Sequence, residues 1–428
     1  MYQIEGTRAL LRGRAALVAW RIPRVSRNVV LLGLVSLFTD ISSEMVATIL
    51  PLYVVYSLGL SPLAYGVIDG VYQGGVAIVR LAGGFLADRL GRYKEIAAFG
   101  YALSALTRLL FLAAGSSVGA LSALVVADRA GKGIRTAPRD ALISLSSDRA
   151  HLATAFGVHR ALDTAGALLG PLIAFGLLLL APLAFDAIFV VSFCFALVGL
   201  AILVLFVENQ RAARREGRAA GAGIPTDAAP VSLRGAAGLL RAPRFRTLIL
   251  AGVVLALVSL SDGFLYISLQ RRLDFDVRLL PLLFVATALC YMVAAIPVGR
   301  LADRIGRGRV FLAGYGLLLL LYLSLLLPAF GTAELLLLLA ILGLYYAATD
   351  GVLMALASAA LPEQLRGSGL ALLTAATGTS RLMASILFGG LWTWQSLETA
   401  LVVFSCGIAA AVPLAATILR RTSAAGGA

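Results

Sequence analysis

The sequence predicts an all-α membrane protein, with twelve transmembrane helices in two pseudo-symmetric six-helix bundles. Three observations carry that prediction. Charged residues make up 14% of the 428 and apolar residues 60%, with a mean hydropathy of +0.93, whereas a soluble domain carries about 25% charge. Apolar runs such as Phe189–Val207 and Val310–Leu327 reach the roughly 18 residues that cross a ~30 Å hydrocarbon core as a helix. The phrase LADR-x-GR occurs twice, at Leu86–Arg92 and Leu301–Arg307, half a chain length apart, which is the mark of an internal duplication.

Inside lipid every backbone amide must find its partner within its own segment, so such runs form helices. A membrane barrel would need alternating segments of about ten residues, and none is present. Reading apolar runs between charged or Gly/Pro breaks places helices near 28–57, 62–87, 94–114, 117–138, 150–180 and 183–207. A second set follows near 245–270, 279–302, 308–329, 332–360, 366–391 and 395–420. Between the sets lies 208–244, ENQRAARREGRAAGAGIPTDAAP then VSLRGAAGLLRAPR, whose Arg, Gly and Ala content reads as a solvated linker with one surface helix at most. The expected domains are a basic arm over 1–27, a bundle over 28–207, the linker over 208–244, a bundle over 245–420 and a tail over 421–428.

The formal charge of +14 is placed unevenly. Arg8, Arg12, Arg14, Arg21, Arg24 and Arg27, then Arg89, Arg92 and Lys94, the linker, Arg304, Arg307 and Arg309, and finally Arg420 and Arg421 occupy alternate loops. The opposite loops 58–61, 115–117 and 330–333 carry none. The positive-inside rule then puts both termini and the linker in the cytoplasm. One loop dissents, with Arg271, Arg272 and Arg278 offset by Asp274 and Asp276. The N-terminal arm mixes Arg with Leu, Val and Trp and is expected on the membrane surface, not as a cleaved signal.

Other classes are excluded by what is missing. The basic residues mark loops instead of one folded face, so nucleic acid is not an expected partner. Cys194, Cys290 and Cys406 sit in apolar runs without CxxC spacing, and read as buried free thiols. Two histidines, His151 and His159, form no metal-ligand pattern, so neither a metal nor a cofactor is expected. No nucleophile has a positioned base, and GAGI at 221–224 lacks the context of a nucleotide loop, so the chain is not expected to be an enzyme.

Both copies of the repeated phrase fall in the turn between the second and third helices of a half. Here the sequence resembles the major facilitator superfamily of transporters, whose signature G-x3-D-R-x-G-R-x-[KR] is matched by Gly84, Asp88, Arg89, Gly91, Arg92 and Lys94. A second match runs through Gly299, Asp303, Arg304, Gly306, Arg307 and Arg309. The aspartate at a helix end can face the positive N-terminus of a neighbour and pair with the arginines, while the glycines allow a tight turn. Such a charged latch would act as a cytoplasmic gate; an orientation anchor is the alternative. In the fifth helix, Gly157, Gly166, Gly170 and Pro171 resemble the family's antiporter signature, with Ala174 and Phe175 in place of its last glycines. The resemblance implies efflux, while the spacing itself only implies close helix packing. Arg129, Lys132 and Gly133 resemble the fourth-helix pattern R-x2-Q-G, with lysine replacing glutamine.

Ionisable residues within spans cost about 2.5–3.5 kcal/mol on insertion scales and are functional candidates by default. Asp40 and Glu44 lie four apart on one face of the first helix, beside Ser36, Ser43 and Thr48. Two carboxylates so placed repel when both are ionised, which favours holding a proton; an ion pair with a cation of the fourth or fifth helix is the other reading. Asp69 in the second helix is expected near the outer surface, and Arg80 nearer the other end. Asp128, Lys132, Arg135 and Arg139 form one stripe of the fourth helix, and His159, Arg160 and Asp163 form a cluster in the fifth, where a histidine beside a carboxylate suits a proton relay. In the second half Asp262 in VSLSD echoes Asp40 in SLFTD, followed on its stripe by Tyr266 and Gln270, with Tyr346, Asp350 and Arg381 further on.

These charges predict a polar midplane cavity between rocking bundles. Asp40, Glu44, His159, Asp163, Asp262 and Asp350 are the proton-handling candidates, and Arg129, Lys132, Arg160, Tyr266, Tyr346 and Arg381 the substrate-contacting ones. The expected function is proton-coupled efflux of a small anionic or zwitterionic solute by a monomer in the bacterial inner (plasma) membrane. A proton-coupled importer of an organic acid and a non-transporting receptor or scaffold are the alternatives.

Overall fold

In the computed structural model, which describes residues 25–74, 92–147, 151–209, 242–327, 331–361 and 366–424, several helices begin at short polar side chains. Ser26, Ser117 and Ser261 each accept a hydrogen bond from the backbone N–H three residues on, satisfying one of the orphan donors of a helix start. They open α1 (Arg27–Leu52), α4 (Val118–Leu145) and α7b (Asp262–Leu273). The others in chain order are α2 (Pro62–Gly74), α3 (Tyr93–Ala113), α5 (Leu152–Leu180), α6 (Phe185–Phe206) and α7a (Pro243–Leu257), then α8 (Leu280–Ile305), α9 (Arg307–Ser324), α10 (Thr332–Ala359), α11 (Arg366–Trp394) and α12 (Leu397–Ala424). Among the described residues ten segments, counting α7a with α7b as one, are long and apolar enough to cross a bilayer. The described part of α2 is short, and α4 carries six charged residues from Asp128 to Asp140, so its stability depends on being surrounded by protein.

The helices form two six-helix bundles, α1–α6 and α7–α12. α1 packs on α5 and α6 and α3 on α4 in the first, while α10 packs on α8 and α9, and α7a on α11 and α12, in the second. Side chains such as Leu180, Val293 and Leu205, 84%, 75% and 71% exposed, make the outer face, which in a membrane meets lipid. Since lipid is as apolar as leucine, helices associate through close packing of small residues. Gly131 shows this where α4 meets α3: an added Cβ would lie 2.7 Å from the Gly100 carbonyl oxygen.

The bundles meet along α2 with α11, α5 with α8, and α1 with α7b. On α2, Gly66, Gly70 and Gly74 face α11, where a Cβ at Gly70 would sit 2.9 Å from the Leu382 carbonyl oxygen and one at Gly66 would overlap that of Ser385. This crossing lies toward the end that carries the loops after α1, α7b and α11, termed the loop end. There the Tyr65 and Phe264 rings meet edge to face at 4.8 Å, Phe264 does the same with Phe388 at 5.0 Å, and the Tyr56 hydroxyl bonds the Gln270 side chain. The Leu63 N–H donates to Thr393 Oγ1 at 2.9 Å, closing the same seam. Residues 25 and 424 lie at the opposite, terminal end.

Three expectations are corrected. The seventh helix is not continuous over 245–270 but broken at Val258–Ser261. Cys194 and Cys406 are exposed on the outer face and Cys290 is partly so, because lipid solvates a thiol as readily as a protein core does. Asp69 is only 6% exposed, since the glycines of α2 bring that face against α11 instead of presenting it to the surface.

Candidate functional site

The break in α7 leaves backbone groups without helical partners, and one side chain satisfies two of them. The fully buried Tyr322 of α9 accepts from the Leu260 N–H at 2.7 Å and donates to the Val258 carbonyl at 3.3 Å. Irregular backbone at membrane depth is tolerated where it is held this way or lines a cavity, and here it does both. Ser259, Leu260, Ser261 and Asp262 line a cavity of about 200 Å³ with Gln73 of α2, Tyr345, Tyr346 and Asp350 of α10, and Arg381 and Ser385 of α11. Tyr346 donates its hydroxyl hydrogen bond to Asp262, and Arg381 approaches Asp350 at 3.8 Å, at the limit of an ion pair. Their side chains are 40% and 53% exposed, so the cavity is in contact with solvent while the loop end above it is closed.

In the first bundle the charges mostly satisfy one another. Arg108 of α3, 2% exposed, donates to Asp128 at 2.8 Å and to Ser42 and Ser43 of α1 at 3.4 and 3.3 Å. Arg129 closes on the other oxygen of Asp128 at 2.6 Å and lies over the Tyr72 ring at 4.0 Å. A second network runs nearer the terminal end. Ser36 Oγ shares a hydrogen bond of 2.8 Å with His159 Nε2 and accepts one from Arg139 at 3.2 Å. Arg139 also pairs with Asp140 at 2.9 Å and reaches Asp163 at 3.9 Å. Arg135 is 3% exposed and stacks over Tyr101 at 4.7 Å, with its Nη1 atom lacking a partner among the described residues.

Most of the predicted residues fall into these groups. Asp40 meets Asp163 across the α1–α5 contact, and both lie in the field of nearby cations, Lys132 and Arg135 for Asp40 and Arg139 for Asp163. Glu44 is a turn away on α1, near Lys132, Arg129 and Tyr72. The two first-helix carboxylates thus have separate neighbours. Asp262, Tyr346, Asp350 and Arg381 share the cavity. Arg160 pairs with Asp163 at 3.6 Å but its side chain is 69% exposed. Tyr266 is fully buried, donating to Thr287 of α8 at 2.8 Å and stacking on Phe284.

Of the repeated phrase, Gly84, Asp88, Arg89 and Gly91 lie outside the described residues, as does Arg80. Arg92 immediately precedes α3, and Lys94 donates to the Val204 and Val207 carbonyls at 2.9 and 2.6 Å, capping the C-terminus of α6 where a cation is favoured. In the second copy Gly306 has φ +106°, a conformation that glycine adopts without strain. That turn lets Arg307 fold back on Asp303 at 2.9 Å, with the two side chains 42% and 63% exposed. Gly299, Asp303 and Arg307 line a shallower groove of about 280 Å³ between α8 and α10, and Arg304 is exposed. Gly166 and Gly170 pack on α1, the latter with a would-be Cβ 2.8 Å from the Ile41 carbonyl oxygen, whereas Gly157 has nothing within 4 Å. Pro171 is buried within α5.

Sequence reasoning missed Arg108, although a lone arginine in YALSALTRLLFLA carries the same insertion cost as the charges it did weigh. The break in α7 was also signalled, by a serine cap before Asp262 and Gly263. Tyr345, Gln73 and Ser385 gave no signal, because polar residues of this size are ordinary in spans.

The model of the Major Facilitator Superfamily matches residues 32–385 and 263–427. An uncharacterized MFS-type transporter of Methanocaldococcus jannaschii is 30% identical over 380 residues, covering 86% of this chain and 89% of that one. An uncharacterized protein of Mycobacterium tuberculosis is 37% identical over 166 residues, 39% of this chain and 38% of its own. Among solved structures, a POT family transporter in complex with a thioalcohol-conjugated peptide superposes with TM-score 0.74 at 14% identity over 92% of this chain and 96% of its own. The nucleoside transporter NupG does so with TM-score 0.70 at 14% identity over 92% and 98%. Twelve helices in two bundles, a broken seventh helix beside a polar cavity and these likenesses agree: the chain is an integral membrane transporter that belongs to the major facilitator superfamily.

Proposed function

We propose that this transporter exports a small zwitterionic or anionic solute in exchange for protons across a bacterial inner membrane, with both termini in the cytoplasm. The observation that carries the reading is the cavity at the α7 break, which sets Arg381 beside Asp262 and Asp350. One guanidinium and two carboxylates suit a solute that bears both an acidic and a basic group. The volume of about 200 Å³ is below the ~300–1,000 Å³ typical of pockets for drug-sized ligands, which favours something of amino-acid size. Arg129 is engaged by Asp128, Lys132 lies between Asp40 and Glu44, and Arg160 is largely exposed, so Arg381 is the cation that meets the solute. Tyr346 orients Asp262 through its hydroxyl.

Proton coupling rests on Asp40 and Asp163, which face each other within the first bundle. Two adjacent carboxyls hold a proton more readily than one, and Lys132, Arg139 and the bond between Ser36 and His159 surround them. Glu44, His159, Asp262 and Asp350 are further stations on this reading. With the termini cytoplasmic, closure of the loop end makes this the inward-facing state. Export follows the likeness of Gly157, Gly166, Gly170 and Pro171 to the antiporter signature.

The test is flux into and out of reconstituted vesicles under an imposed pH gradient, screened over amino acids, small organic anions and organic cations. A zwitterion or anion is expected to move against the proton gradient, and Asp40→Asn to uncouple it while leaving solute exchange. Flux of every solute that ignores the pH gradient in the wild type would overturn proton coupling. Selective flux of cations would overturn the substrate class.

A further inference from the structure

We propose that Asp69 is a second proton-binding site, placed in the seam between the bundles, and that its carboxyl must be protonated for the loop end to close. The inference rests on the alternating-access part of the reading above but not on the solute or on Asp40.

Asp69 stands on α2 between Gly66 and Gly70, the residues that bring α2 to backbone contact with α11. Ser385 of α11 donates to its Oδ2 at 2.6 Å, so the bond spans the two bundles. Gln73 and Tyr65 of its own helix and Ser261 at the α7 break are its other polar neighbours. The surrounding titratable and charged groups are few. Tyr65 and Tyr72 lie on α2, and Asp262 on α7b adds a second carboxyl. Arg381 lies one turn from Ser385 on α11 and is directed to Asp350, while Arg129 of α4 is held by Asp128 across Tyr72. Among the described residues Asp69 forms no ion pair, although it is 6% exposed. Burial without a cation disfavours the carboxylate, and although the neighbouring donors offset part of that cost, the buried group takes up a proton more readily than one in water.

The seam is the part that must part when the loop end opens. Separating α2 from α11 breaks the bond to Ser385 and wets Asp69, and a solvated aspartic acid is ionised at neutral pH. The closed state therefore holds a proton at this position more readily than the open state. By linkage, acid favours closure and alkali favours opening, with the ratio of states changing by at most about tenfold per pH unit for one proton. The proton enters from water on the loop side and is lost to it when the seam reopens, so the residue gates closure without itself carrying solute.

The experiment uses the full chain in lipid nanodiscs, with Cys194, Cys290 and Cys406 replaced and spin labels at Ser57→Cys and Gln395→Cys, exposed positions on opposite sides of the loop-end seam. The distance distribution is measured from acid to alkaline pH. The wild-type residue at 69 is expected to give a long-distance population that grows with pH. Asp69→Asn, neutral and of the same shape, is expected to remain short throughout, while Asp276→Asn, which alters an exposed carboxyl in the loop after α7b, keeps the pH response. Ser385→Ala, which leaves the carboxyl but removes its partner across the seam, is expected to move the midpoint of the response without abolishing it. An unchanged pH response in Asp69→Asn would overturn the proposal. Loss of the response in Asp40→Asn alone would assign it to the first-bundle carboxyls, and a response present only with Asp69 intact would stand even if vesicle flux showed no proton coupling.

Discussion

Replacing Gly70 by alanine tests the α2–α11 seam with a single methyl group. Its Cβ would lie 2.9 Å from the Leu382 carbonyl oxygen and 3.3 Å from the Leu382 Cα. Favourable carbon contacts begin near 3.5 Å, and both obstructing atoms are backbone, so no side-chain rotation relieves the overlap. The helices must separate by roughly half an ångström or accept overpacking, which costs about 1–3 kcal/mol. That cost falls only on the state in which α2 and α11 touch. A differential of this size changes the ratio of loop-closed to loop-open molecules about 5- to 150-fold. Spin-label distances across the loop end, measured at one pH, report that ratio directly. Gly157→Ala is the control, because nothing lies within 4 Å of the added methyl and alanine is the better helix former by about 1 kcal/mol. A Gly70→Ala protein that stays closed to the same extent as the control would refute the claim that this crossing holds the observed state.

Three further perturbations address the parts that support the site. Arg108→Gln leaves Asp128 with one of its two buried arginines and strips Ser42 and Ser43 of a donor; breaking a buried pair costs about 3–5 kcal/mol, so the thermal unfolding midpoint in detergent should fall clearly, and an unchanged midpoint would contradict the pairing. Tyr322→Phe removes the hydroxyl that serves Leu260 and Val258, at about 1–3 kcal/mol for each buried group left unpaired. Lower thermal stability together with faster hydrogen exchange at Leu260 is the expected result, and wild-type exchange there would show that the clamp is not needed. Gly306→Ala forces a side chain to φ +106°, with a strain of about 1–3 kcal/mol. Increased proteolysis at the α8–α9 turn should follow, with the α7 cavity and its ligand affinity intact.

The twelve spans were legible because lipid imposes a single rule, long apolar runs between polar breaks, and that rule does not depend on tertiary context. The charged α4 is held among the other helices by close packing, as at Gly131, which lets α3 approach. The site was less legible because the same rule says which residues are costly in a membrane but not which satisfy each other. Asp40 and Glu44 are adjacent on a helical face, yet Asp40 meets Asp163, a residue more than a hundred positions away. Asp69 was assigned to the surface by its distance from the span end, while the glycines on both sides of it, the real indication of a tight crossing, had no partner in sight until α11 was placed. Tyr266 follows Asp262 on one stripe but lies a turn farther along α7b, where its hydroxyl bonds Thr287 of α8 and it does not line the cavity.

Alternate opening of the two ends is tested most directly by measuring both ends in the same molecules. One label pair at Ser57 and Gln395 reports the loop end, and a second at Ser147 and Gly308, one on each bundle, reports the terminal end. Across pH and added solute, rocking around the α7 cavity predicts that every condition lengthening the first distance shortens the second. Distances that lengthen together, or that vary independently of each other, would contradict it.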